Sequence, residues 1–160
     1  MSADLYVIGI DPGPATGIAV AFWDDESWLS PGAYQCDASS APALLDWLTA
    51  RKRPMMLVRA AVEEFRPGTG AGARGPHASV TRSKVDELSD VLENRNIRVR
   101  CRPATTVKPW ATDERLKRAG LLEICRGQPH SADAMRHLLF CAVHDCGVPD
   151  PLIRRRRLMT

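Results

Sequence analysis

The sequence predicts an α/β sandwich, a mixed five-stranded sheet flanked by helices. Three observations predict it. Short apolar runs rich in β-branched residues end abruptly at turn residues or carboxylates. The first three runs follow one another with only short turns between them, as an antiparallel meander does. After them, strand-like runs alternate with stretches whose apolar residues recur at helical spacing.

Taken in order, Leu5 to Ile10 is a buried strand that stops at the turn residues Asp11-Pro12-Gly13. Thr16 to Trp23 reads as a second strand, Asp24-Asp25-Glu26 as a turn and Ser27 to Gln35 as a third strand. From Ser40 the period changes: Leu44, Leu45, Trp47 and Leu48 mark a helix, with Arg51, Lys52 and Arg53 at the negative end of its dipole. Met55 to Val62 is a fourth strand, ending at Glu63-Glu64-Phe65. A Gly/Pro-rich stretch, Arg66 to His77, reads as a loop. Val80 to Asn94 then places Val85, Leu88, Val91 and Leu92 on one helical face, and Ile97 to Cys101 alternates apolar and basic residues as a fifth strand should. Thr112, followed by Asp113 and Glu114, caps a short helix that stops at Gly120. The last helix follows Pro129 and runs to about Asp145, with Ala132, Met135, Leu138, Leu139, Ala142 and Val143 inward.

With 160 residues, 44% of them apolar and 26% charged, the chain has the size and composition of one soluble domain. We expect that domain over residues 1–150 and a basic tail over 151–160. No apolar run is long enough to span a bilayer, and the N-terminal residues lack the pattern of a secretory signal. A cytoplasmic protein is expected, in a bacterium or in an infected host. The five cysteines are odd in number and scattered, without the close pairs of a tetrahedral zinc site, and read as reduced thiols.

The net charge of +3 conceals an asymmetry. Residues 1–50 hold seven acids and no Lys or Arg, whereas residues 51–110 carry an excess of seven positive charges and residues 111–160 an excess of three. Most of these bases are arginine, whose planar fork pairs with phosphate. The composition thus allows a polyanionic partner without requiring one.

Three acidic positions fall where a site is built: Asp11 at the end of the first strand, Glu63 or Glu64 at the end of the fourth, and Asp133 in the first turn of the last helix. Each has an ordinary alternative when taken singly, as a turn residue, a salt-bridge partner or a helix-dipole residue. Their conjunction is more informative. If the first and fourth strands are parallel neighbours, their acids meet, and His130, three residues before Asp133, shares its helix face. Clustered carboxylates need a cation, and oxygen-rich sets suit Mg²⁺ or Mn²⁺. Two such ions about 3.5–4 Å apart support in-line phosphodiester displacement.

The segment from Gly70 to Gly75 spells a dinucleotide-binding glycine pattern, but Pro76 follows, the helix starts late and the next strand ends without an acid for a ribose. No nucleotide cofactor is expected. The glycines read instead as a loop that, with Arg66, Arg74, Arg82 and Lys84, tracks nucleic-acid phosphates or simply lies in solvent.

GIDPGPATGIAV (Gly9 to Val20), AVEEF (Ala61 to Phe65) and HSADAM (His130 to Met135) resemble, in order and spacing, the three signature segments of the RuvC family of Holliday-junction resolvases. The resemblance implies an RNase H-like fold and a site of Asp11, Glu63, His130 and Asp133 around two Mg²⁺ ions, with Mn²⁺ able to substitute. It also implies a homodimer that nicks opposing strands of a four-way DNA junction, leaving a 5′ phosphate and a 3′ hydroxyl. Phe65 takes the place of an aromatic that wedges against a base, Lys108 that of a lysine near the scissile phosphate, and Arg115 or Lys117 supplies a second basic group. Departures are the shortened first segment, Pro14-Ala15 in place of a Ser-Arg pair, and the extra acid Glu64. This short form resembles phage-borne members.

Other readings remain at this level: a nuclease acting on flaps and forks as well as junctions, an RNA-processing nuclease of the YqgF type, and a non-catalytic nucleic-acid scaffold. A sugar-kinase-like ATPase would require a second domain for which this chain is too short.

Overall fold

The computed structural model describes residues 4–24, 27–53, 55–66 and 75–153. Five strands and six helices follow in the order β1 (Leu5–Asp11), β2 (Ala15–Asp24), β3 (Ser27–Asp37), α1 (Ala41–Ala50), β4 (Leu57–Glu63), α2 (Pro76–Glu93), β5 (Arg98–Arg102), α3 (Ala104–Val107), α4 (Asp113–Arg118), α5 (Leu121–Ile124) and α6 (Pro129–His144). The sheet order is β3-β2-β1-β4-β5. The first three strands pair antiparallel, and β1–β4 and β4–β5 pair parallel. Parallel neighbours need a crossover, and α1 and α2 provide the two.

β1 is buried along its whole length because both of its faces are covered. Leu5 and Val7 enter the core beneath α6, while Tyr6, Ile8 and Ile10 enter a second core against α1 and α2. This period of two also assigns Asp11 to the α6 side of the sheet. α6 lies very close to the strands. A Cβ on Gly9 would collide with the Ala134 carbonyl, and one on Gly17 with the His130 carbonyl. The absence of side chains at these two positions lets the start of α6 rest directly on the β1–β2 pair.

Several boundaries differ from those expected. Met55 is exposed with φ 68°, so β4 begins at Leu57. Asn96 turns the chain with φ 57°, leaving Ile97 buried but outside β5. α2 begins at Pro76, inside the stretch read as a loop, because proline's fixed φ suits the first helical turn. Trp47 is exposed and stacks beneath Arg51 instead of joining the core, and Val143 is only half-buried. α3 and α5 were not expected. Thr112 does cap α4, its hydroxyl accepting from the Arg115 amide at 3.3 Å. No described helix is long and apolar enough to cross a membrane. All five cysteines are free thiols. The arginine run 154–157 lies outside the described residues.

Candidate metal centre

β1 and β4 run parallel with Ile10 opposite Val62, so Asp11 and Glu63 emerge from the same end of the sheet. α6 passes over that end, held down at Gly9 and Gly17, and brings Asp133 onto both acids. One carboxylate oxygen from each of Asp11, Glu63 and Asp133 lies within 4.8 Å of the other two. Asp133 sits one turn inside α6, beyond the first-turn position expected of it, because the helix already begins at Pro129. The choice between neighbouring glutamates is resolved by geometry. Glu63 joins the cluster, while the Glu64 carboxylate turns outward to Arg66 at 3.2 Å.

Each acid is fixed by a basic side chain. His130 Nδ1 lies 2.7 Å from Asp11 Oδ2, and its own backbone amide donates to Gln35 Oε1 at 3.1 Å. His137 is almost fully buried and holds Glu63 Oε2 through Nε2 at 3.1 Å. Lys108 Nζ donates to Asp133 Oδ2 at 2.8 Å, and Arg136 donates to the other oxygen of Asp133. Arg136 is itself buried, bonded to Asp113 and, at 2.9 Å, to the Ala111 carbonyl. Such partners orient the carboxylates before any ion arrives.

His130 therefore touches Asp11 without joining the three converging oxygens. His137, Arg136 and Gln35 escaped the sequence reading. The signal for two of them was present: Arg136 and His137 lie three and four positions after Asp133, hence on its side of the helix.

Burial, reinforced by the neighbouring Glu63 carboxylate, pushes the Asp11 pKa up to about 7, while the hydrogen bond from His130 pulls the other way. Burial works against the charge on Lys108, but its bond to Asp133, with Glu63 and Asp11 nearby, prevails and raises its pKa. The raised pKa of Asp11 thus reflects first its burial and then the neighbouring carboxylates of Glu63 and Asp133. An all-oxygen donor set of this kind fits a hard divalent cation such as Mg²⁺ or Mn²⁺. An open groove of about 560 Å³ is bordered by Lys108, Thr112, Gln128, Asp133 and Arg136, and of the three acids only Asp133 lines it.

The remaining basic and aromatic candidates divide. Arg82 is exposed and stacks over Phe65, 5.2 Å from the ring centroid. Arg66 is exposed but paired with Glu64, and Lys117 is exposed. Lys84 does not face solvent: it is buried on the core side of α2 and paired with Glu87. Arg115 is likewise turned inward, bonded to the Trp110 carbonyl and, at 2.7 Å, to Asp150. Arg74 lies outside the described residues.

No protein-family model and no curated protein matches the sequence. Among solved structures, the chain is similar to the RuvC of T. thermophilus in complex with a Holliday junction substrate. That similarity has a TM-score of 0.62 and 19% sequence identity, and covers 90% of this chain and 97% of the other. The chain has the RNase H-like fold. A PPX-GPPA enzyme of Aquifex aeolicus is also similar at a TM-score of 0.42 and 12% identity, over 76% of this chain and 42% of that one, too weak a likeness to argue from. Neither similarity bears on whether the chain is phage-borne. What stands is a RuvC-like fold carrying an acidic cluster suited to a metal ion.

Proposed function

We propose that this protein is a metal-dependent structure-specific DNA endonuclease that cuts branched DNA, four-way junctions foremost and flaps or forks in addition. The observation that carries the reading is the convergence of Asp11, Glu63 and Asp133 at the C-terminal ends of β1 and β4 beneath α6. A scaffold that only binds nucleic acid gains nothing by gathering three carboxylates where phosphates approach, since they repel the ligand unless a cation intervenes.

In this reading Asp11, Glu63 and Asp133 would hold two Mg²⁺ ions, for which Mn²⁺ could substitute. When bound, the ions supply Lewis-acid activation of water and stabilisation of the leaving 3′ oxygen. The chain's own groups do the rest. His137 and Arg136 hold Glu63 and Asp133 in place. His130 fixes Asp11 through Nδ1, leaving Nε2 as the atom able to accept a proton from an attacking water. Lys108, half-exposed at the rim, supplies positive charge to the phosphate as negative charge develops there. Cleavage leaves a 5′ phosphate and a 3′ hydroxyl. A homodimer places two such sites on a two-fold-symmetric junction.

A panel of end-labelled four-way junction, flap, fork, duplex and single-stranded RNA substrates tests this. Paired, symmetric, Mg²⁺-dependent nicks in the junction are expected. Cutting confined to RNA would overturn the substrate, and no cutting of any substrate would overturn the enzyme.

A further inference from the structure

β5 alternates arginine with Val99 and Cys101. Because successive side chains of a strand point to opposite faces, Arg98, Arg100 and Arg102 share one side of the sheet. The register with β4 sets them beside Arg59, Ala61 and Glu63. Ala61 packs into the core under α6, and Glu63 belongs to the acid cluster, so the arginines lie on the α6 side. Val99, of opposite parity, packs against the second core with Leu88 and Leu92 of α2.

The two sides of β5 are covered differently. α2 packs against one side, whereas α6 packs chiefly on β1, β2 and β4 and meets β5 at Arg102, where the Phe140 ring lies 5.2 Å from the guanidinium. There Asp145 accepts from Arg102 Nη1 at 2.7 Å and Nη2 at 2.5 Å. This pair engages Arg102, and the Asp145 carboxylate also feels the charge of Arg100. Arg98 and Arg100 are exposed, and Arg59 is half-buried beside them with Nη1 on the Val58 carbonyl at 3.0 Å.

The row has a direction. β5 runs parallel to β4 toward the acid cluster, spanning about 13 Å from Arg98 to Arg102 at roughly 3.3 Å per residue. The chain then continues through α3 to Lys108, whose ammonium lies on Asp133. Positive charge thus leads along one side of the molecule to the carboxylates. Arginine forks grip phosphate oxygens in pairs. β5 itself carries no aromatic residue, and the Phe140 ring beside the row is engaged by the Arg102 guanidinium at 5.2 Å and by His144, so Arg98 and Arg100 offer charge to a backbone rather than rings to bases.

We propose that Arg98 and Arg100, with Arg59 beside them, form a phosphate track for the backbone of a duplex DNA arm leaving the acidic site. The proposal rests on the nucleic-acid reading above and adds the path the substrate takes. The arginines also keep β5, an edge strand, from pairing with other chains, and that service alone is the competing account.

The test is fluorescence anisotropy with labelled duplex, four-way junction and single-stranded DNA in EDTA over a range of KCl. Wild type is compared with Arg98→Gln/Arg100→Gln and with a charge-matched control, Arg118→Gln/Arg126→Gln, whose arginines are exposed at the end of α4 and in the turn after α5. Thermal melts verify that each variant is folded. Each lost phosphate contact removes about 0.9 from the slope of log affinity against log salt, so the β5 variant should lose about 2 on duplex and junction, and the control much less. An unchanged slope in the β5 variant, an equal loss in the control, or a loss confined to single strands overturns the track while leaving the nuclease reading intact. Failure of the wild type to bind any of the three DNAs overturns both.

Discussion

His137 Nε2 lies 3.1 Å from Glu63 Oε2, in a position from which water is almost entirely excluded. The imidazole has no route to substrate there, so its effect passes through the carboxylate it orients. Replacing His137 by Ala should raise the Mg²⁺ concentration needed for half-maximal cleavage by about 10- to 100-fold, with substrate affinity little altered. His137→Gln, which keeps a donor, should recover part of the loss. A Mg²⁺ titration of cleavage, with melts to establish folding, checks this; an unchanged Mg²⁺ requirement in a folded His137→Ala would remove the residue from the site.

Gly17 carries the start of α6 directly on the sheet, opposite Asp11 in the β1–β2 register. A methyl group there must push the His130 backbone away. Gly17→Ala should cost about 1–3 kcal/mol of stability. It should also lower cleavage at temperatures well below its melting point, because His130 and Asp133 move with the helix. Denaturant unfolding and cleavage at low temperature separate the two effects.

Asp11 gives the metal-free protein a definite pH response. Its carboxyl, ordinarily near 4, is pushed up to about 7 in the fold by burial and by Glu63. Between those values the folded chain holds a proton that the unfolded chain has released, so this group's contribution to stability falls as pH rises through the window. A divalent ion binds the deprotonated form. The rise in melting temperature on adding Mg²⁺ should therefore be larger at pH 8 than at pH 6, and equal rises at the two pH values would contradict the arrangement.

Lys108 is half-exposed and shares Asp133 with the buried Arg136. Because Arg136 still holds the carboxylate, Lys108→Ala should leave the fold intact. Single-turnover cleavage should slow on the order of 10²-fold while junction affinity changes little. A large loss of affinity with an unchanged rate would make Lys108 a phosphate anchor instead.

The sheet and the acids were legible in the sequence because each carries a local signal. Asp11 and Glu63 terminate apolar runs, and Asp133 follows a proline that opens a helix. The supporting layer was less visible. His137 sits among apolar residues and resembles a core histidine until His130, Asp133 and His137 are seen to recur at i, i+3 and i+7. Lys84 was assigned to DNA on charge alone, although it precedes Leu88 and Leu92 by four and eight positions and so shares their buried face. α3 and α5, four residues each, are about one turn long, too short for periodicity to register. Nor does local sequence indicate that Arg98 and Arg100 share the α6 side of the sheet and stay exposed there, which is why the arginine row emerges only from the register.

The central claim is that the three carboxylates form a metal site for phosphodiester hydrolysis. It is tested most directly by single-turnover cleavage of a pre-bound, end-labelled four-way junction on adding Mg²⁺, comparing wild type with Asp11→Asn. The account predicts rapid cutting by wild type, none by a folded Asp11→Asn that still binds the junction, and none by either in EDTA. Mg²⁺-dependent cutting by Asp11→Asn at the wild-type rate would contradict it.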